Sequence, residues 1–328
     1  MTIILLQMGK VASTAIADAL RRAGEEVFQA HIGAPERLVE KYRMLMSAQV
    51  GDDVAARMYE DYLQELRVTF LLARRRVIDP PAEAPLKIVT LTRDPLDWYW
   101  SHFAQNYDHY SELLRKFHEL HGAKNQSFDP RVTFVQVQQS MFSLLGDTEL
   151  ALDSVEALPE LARAARVVDP SGVVFSQIYN FLLPLRWFDE DFLPATGIDV
   201  YAEHFDLGSG IGMVGDQRFS CLILKFEELK RLAGELASFV SLGEVVLENA
   251  NVSLEKTLPF SVRAMRERGK ALMPVGLLQR IYNTRYASHF GYKIRESRAE
   301  RVGRVYPRSV DMALARAWSF VTRFRGRS

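Results

Sequence analysis

Gln7-Met8-Gly9-Lys10-Val11-Ala12-Ser13-Thr14 lies near the start of the chain, between an apolar run and an amphipathic one. A turn that closes a strand and opens a helix aims several backbone N–H groups outward with no intrahelical partner. The helix dipole adds a partial positive charge there, and phosphate or sulfate is the natural occupant. Lys10 adds a full charge, Ser13 and Thr14 add hydroxyl donors, and Gly9, Val11 and Ala12 supply the surrounding backbone. The same residues also read as an N-capped helix beside a solvated lysine. A second set changes the balance. Arg93 closes another predicted strand, and Ser101 follows eight residues later, about two helical turns along. A guanidinium fork and a hydroxyl on one rim suit a dianionic phosphate. The alternative pairs Arg93 with Asp94 and leaves Ser101 exposed. Two such sites together suit a ligand with phosphates at two places.

The elements that must position these groups are legible as patterns. Thr2–Leu6 is apolar and rich in β-branched residues, as is Leu86–Thr92, and Phe219–Lys225 is a third apolar run; such runs suit strands buried on both faces of a parallel sheet. Ser13 or Thr14 is the expected N-cap of a helix over 15–23, and Gly24 its stop. Residues 26–31 form the next strand, giving a βαβ opening. Two or three helices fill 35–78, the proline-rich stretch 79–85 ends them, and Pro95 opens a long aromatic helix. A helix is expected over 226–240. Alternation of this kind predicts a three-layer α/β fold, a parallel sheet flanked by helices, with helical insertions near 35–78 and 104–185 inside a domain spanning 1–295. Ligands in such sheets bind beyond the carboxyl ends of the strands, which puts both turns on one rim. Magnesium-dependent kinases and ATPases need G-x-x-x-x-G-K-[ST]. Here Val11 follows Lys10, and no glycine precedes Gly9 at that spacing.

The pair of turns resembles the sulfotransferases that use 3′-phosphoadenosine 5′-phosphosulfate (PAPS). In that superfamily a loop with a K-x-G-[ST]-[ST]-like core holds the 5′-phosphosulfate. A later strand ending in R-D-P, with a serine eight residues after the arginine, holds the 3′-phosphate. Gly9 to Thr14 and Arg93-Asp94-Pro95 with Ser101 stand in those places. Leu222-Ile223-Leu224-Lys225-Phe226-Glu227-Glu228-Leu229 looks like the later strand and its aromatic–acidic–leucine turn, and the stretch from Trp187 to Tyr201 is similar to carbohydrate sulfotransferases and bacterial capsular polysaccharide synthesis proteins. The likeness covers about 1–130 and 185–295 and departs at Ala12, where glycine is usual.

The resemblance implies a P-loop-like sheet, PAPS as co-substrate, no metal, and a saccharide or similar hydroxyl as acceptor. Lys10 would neutralise charge on the bridging oxygen, and the turn would hold the 5′-phosphate. Arg93 and Ser101 would fix the 3′ end. A base is expected for the acceptor hydroxyl, and histidine suits that work. His31 is the choice, at the rim end of the second strand; a merely hydrogen-bonded histidine is the alternative, and His102 and His289 are weaker candidates. Two other functions stay open: a non-catalytic nucleotide- or glycan-binding protein of polysaccharide assembly, and a nucleotide-dependent kinase.

Other features read as structural. Trp98, Tyr99, Trp100 and Phe103 are expected to pack rather than stack on a ligand, Met44 and Met46 to pack between helices, and residues 208–212 to form a flexible surface loop. The 41 basic and 41 acidic residues balance, so no global field favours nucleic acid. Cys221 is the only cysteine, which excludes an intramolecular disulfide and fits a cytoplasmic setting. Neither a signal peptide nor a membrane span is expected. The tail at 296–328 is basic and carries Val310, Leu314, Ala317, Trp318, Val321 and Phe324 on one helical face. Such a helix either docks on its own domain or makes peripheral contact with an anionic membrane.

Overall fold

Thr2–Leu6 (β1) carries so little polar surface that it can only sit in the middle of a sheet, and it does. In a computed structural model, which describes residues 1–47, 52–79, 84–121, 128–247 and 260–294, β1 pairs in parallel with Glu26–Ala30 (β2) on one side. Leu86–Thr92 (β3) pairs with it on the other. Between β1 and β2 runs Ser13–Arg22 (α1), stopped by Gly24 at φ +87, a left-handed value that glycine adopts without strain. Phe219–Lys225 (β6) pairs in parallel with β3. Phe205–Asp206 (β4) and Ile211–Gly215 (β5) add an antiparallel edge, giving the order β2-β1-β3-β6-β5-β4. The fold is therefore α/β, a six-stranded, mostly parallel sheet flanked by helices.

The chain leaves β1 toward β2 and later returns to β1's other side as β3. That reversal of strand order opens a crevice at the carboxyl ends of β1 and β3, the usual ligand position in open α/β sheets. Pro35–Ser47 (α2) and Asp52–Ala73 (α3) follow β2, and one π-helical turn, Arg74–Ile78, ends α3. Met46 is 67% exposed on α2, so it does not pack between helices as expected. Residues 208–212 are not a loose loop either. They make the tight β4–β5 turn and the start of β5, where a Cβ on Gly212 would stand 2.8 Å from the Phe205 ring. The helix expected over 226–240 is a 3₁₀ turn, Phe226–Glu228, followed by a short helix, Ala233–Phe239.

The chain divides into two units. The sheet belongs to the first, formed by the described residues within 1–98, 183–247 and 289–291. The second, within 99–182, 260–288 and 292–294, is helical. Its core is aromatic. Trp100 and Phe103 are buried, Phe103 meets Phe134 edge-on at 5.6 Å, and Tyr99 donates to Gln177 at 2.7 Å. A Cβ on Gly269 would lie 2.5 Å from the Trp100 ring. Tyr99, Trp100 and Phe103 are thus packing residues, as their sequence implied, and so is Trp98 in the first unit. Among the described residues no helix is long and apolar enough to cross a membrane. The basic tail at 296–328 lies outside the described residues.

Candidate functional site

Residues 7–12 leave β1 through an unusual backbone. Gly9, Lys10 and Ala12 have φ of +77, +55 and +61, and for the two non-glycine residues the left-handed region costs about 1–2 kcal/mol each. A left-handed residue that follows one of negative φ, as Ala12 follows Val11, turns successive N–H groups to one side in the manner of an anion-binding concavity. The expected cap at Ser13 or Thr14 is not formed. α1 begins at Ser13, its N-cap is Ala12, and no side chain caps it. The first amide with an intrahelical acceptor is Ile16, bonded to Ala12 O at 3.2 Å. The amides of Ser13, Thr14 and Ala15 therefore stand at the positive end of the helix dipole. Ser13 is buried and its Oγ accepts from Gln29 Nε2 at 2.9 Å, which leaves the hydroxyl proton to be donated. Thr14 is exposed and Val11 buried.

The turn after β3 joins this one. Arg93 Nη1 donates to Lys10 O at 2.6 Å, and its guanidinium lies 4.4 Å from the Phe226 ring centroid beyond β6. Trp98 Nε1 donates to Gly9 O at 2.8 Å. Lys10 is half-buried, and its pKa is lowered by that burial and by the Arg93 charge nearby. The two cationic residues are thus brought to one end of the crevice. Asp94 has a capping role that the sequence did not show. Its Oδ1 accepts from the amides of Leu96 and Asp97 at 3.0 Å, capping the helix Pro95–His121, while its own N–H donates to Glu227 at 2.8 Å. Ser101 is half-buried on that helix but belongs to the second unit, so it is not counted with Lys10 and Arg93.

His31 stands one residue past β2 and reaches the same turn. Its ring lies 3.8–4.0 Å from where a Cβ on Gly9 would be. The link is Gln7, which the sequence did not single out and which is fully buried. Gln7 Oε1 accepts from Gly9 N–H at 2.6 Å, and its Nε2 lies 2.8 Å from His31 Nδ1. A flipped amide would set two donors against each other at Gly9, so the network assigns the amide nitrogen to His31. Nδ1 is also 3.2 Å from Gln7 O. The His31 backbone is held as well, its O by Trp187 Nε1 at 3.0 Å and its N–H by the Glu65 carboxylate. Burial of the ring, then the Lys10 and Lys41 charges, lower the His31 pKa, with the Gln7 carbonyl opposing. One edge of the residue stays exposed.

The other candidates lie elsewhere. His102 bonds to Asn106 in the second unit, and His289 sits among the rings of Tyr201, Phe205 and Phe290. Among the described residues no group of three His, Cys, Asp or Glu side chains is placed to hold a metal ion. No family model, no curated protein and no solved structure matches the chain.

Proposed function

We propose that this chain is a sulfotransferase that moves the sulfuryl group of PAPS to a hydroxyl of a saccharide or similar acceptor. The balance is a sulfate ester, adenosine 3′,5′-bisphosphate and one proton. One observation carries the reading: the 2.6 Å hydrogen bond from Arg93 to the Lys10 carbonyl, which makes one cationic locus of two rim turns where the strand order reverses. In this reading the turn at residues 9–14 is a phosphate loop. The amides of Ser13, Thr14 and Ala15, with the Ser13 and Thr14 hydroxyls, hold the 5′-phosphosulfate. Lys10 neutralises charge on the bridging oxygen as the sulfur–oxygen bond breaks. Arg93 takes the 3′-phosphate; Ser101, in the other unit, has no assignment.

His31 enters as a donor in place of the base expected from its position. In this reading the 2.8 Å contact from Gln7 Nε2 to Nδ1 prevails over the 3.2 Å contact of Nδ1 with the Gln7 carbonyl, so the neutral ring carries its proton on Nε2 and offers it to a sulfuryl or phosphate oxygen. The lowered pKa keeps the ring neutral, and the acceptor's proton is then released elsewhere. That same feature favours a second reading, a nucleotide-binding protein without turnover, which a sulfuryl-transfer assay with PAPS separates from the first.

Calorimetry with adenosine 3′,5′-bisphosphate tests the common core. Micromolar binding is expected, weakened about tenfold or more by Lys10→Ala and by Arg93→Ala, since a charged contact commonly contributes ~1.5–3 kcal/mol. No binding by the folded wild type at millimolar nucleotide would overturn both readings.

A further inference from the structure

α3 has two apolar faces where a surface helix needs one. Val68 and Leu72 are buried on the first. The second is open to solvent: Tyr59 is 50% exposed, Leu63 36%, Leu66 41% and Phe70 59%. Steps of four, three and four residues along this stripe are the a/d rhythm of a coiled-coil seam, and a contiguous exposed apolar stripe marks an interaction surface. Glu60 and Arg67 each follow a d position, Tyr59 and Leu66, so both occupy the e position that flanks the seam. Both are exposed, and neither makes an ion pair among the described residues.

We propose that this face joins two copies of the chain, related by a two-fold axis and paired antiparallel along α3. An antiparallel seam sets a against d. Leu63 then lies against the partner's Leu66, and Tyr59 against the partner's Phe70. The same operation brings Glu60 to the partner's Arg67 and Arg67 to the partner's Glu60. The stripe and its charges are thus complementary to themselves, as a two-fold interface requires. A parallel pairing sets each seam residue beside its own counterpart and leaves Glu60 and Arg67 apart. An anionic bilayer is a poorer occupant, because Glu60 would face it.

Light scattering on the full chain, loaded at about 100 µM so that micromolar association is populated, reads the outcome directly. The wild type is expected at the mass of two chains. Leu63→Glu with Leu66→Glu is expected at one, with unchanged circular dichroism because both positions face solvent, and with the melting of wild type diluted until it too is one chain, since pairing itself raises the melting temperature. Glu60→Arg or Arg67→Glu alone puts like charges at both flanks and raises the dissociation constant about tenfold or more. Mixing those two single variants restores pairing as a heterodimer, since one carries two positive flanks and the other two negative. A one-chain mass for the wild type overturns the proposal, as does a dimer indifferent to both charge reversals. If the wild type pairs only after residues 309–328 are removed, the stripe is the tail's own dock and the proposal falls.

Discussion

Two β-to-α turns leave neighbouring parallel strands on one rim of this sheet, and they solve the same problem in opposite ways. After β3, Asp94 caps the amides of Leu96 and Asp97, Pro95 has no N–H to satisfy, and Trp98 donates to the Asp94 carbonyl at 2.8 Å. Every amino-terminal donor of that helix has its acceptor inside the protein. After β1, three left-handed residues and an alanine at the N-cap leave the donors of α1 to be met from outside. A finished turn stabilises the fold. An unfinished, strained one costs stability that a bound anion can offset. The difference predicts which substitutions act on folding and which on binding.

The widest separation is expected between Asp94→Ala and Thr14→Ala in ligand-free protein. Loss of a cap costs about 0.5–2 kcal/mol, and Asp94, buried and serving two amides, belongs near the top of that range. Thr14 is exposed and caps nothing, so its loss is expected within about 0.5 kcal/mol. Urea titration of both variants measures this; equal losses would mean that the first turn is finished by its own side chains after all.

Next comes Gln7→Glu, a change of one heavy atom that leaves an acceptor for Gly9 N–H but replaces the donor at His31 Nδ1. Nitrogen chemical shifts of His31 are expected to move the neutral ring's proton from Nε2 to Nδ1, and nucleotide affinity to fall about tenfold as a donor is lost and a negative charge gained. A wild-type ring already protonated on Nδ1 would refute the donor role whether or not nucleotide binds.

How much of this was legible beforehand follows from how locally each feature is encoded. β1, β3 and β6 were read to the residue, because a strand buried on both faces is a continuous apolar run. β5 was not, since Gly208, Gly210 and Gly212 resemble a loop; Gly212 is there because the Phe205 ring occupies the place of a side chain, a fact that lives in the packing. Gln7 left no periodic signal. Its role exists only where the Gly9 amide and the His31 ring, 22 residues apart in sequence, meet in space. Lys10 and Arg93 were legible as charges at strand ends, but the hydrogen bond that joins them was not. Asp94 was legible as a charge beside Arg93 but not as the cap of Leu96 and Asp97, because charge is visible in a sequence and the direction of a cap is not.

The smallest effect tests the strain itself. Ala12 stands at φ 61, ψ 24, where the resembled motif carries glycine. Ala12→Gly relieves about 1–2 kcal/mol of left-handed strain and returns about 0.5–1 kcal/mol through the greater freedom of glycine in the unfolded chain. A net gain of about 0.5–1 kcal/mol is expected in ligand-free protein, with nucleotide affinity nearly unchanged because no side-chain contact is lost. The same substitution within Pro95–His121 would be destabilising, so the sign alone distinguishes the turns. A loss of stability at Ala12 would show that its conformation is imposed without strain, and the contrast between a finished turn and an unfinished one would then rest on capping alone.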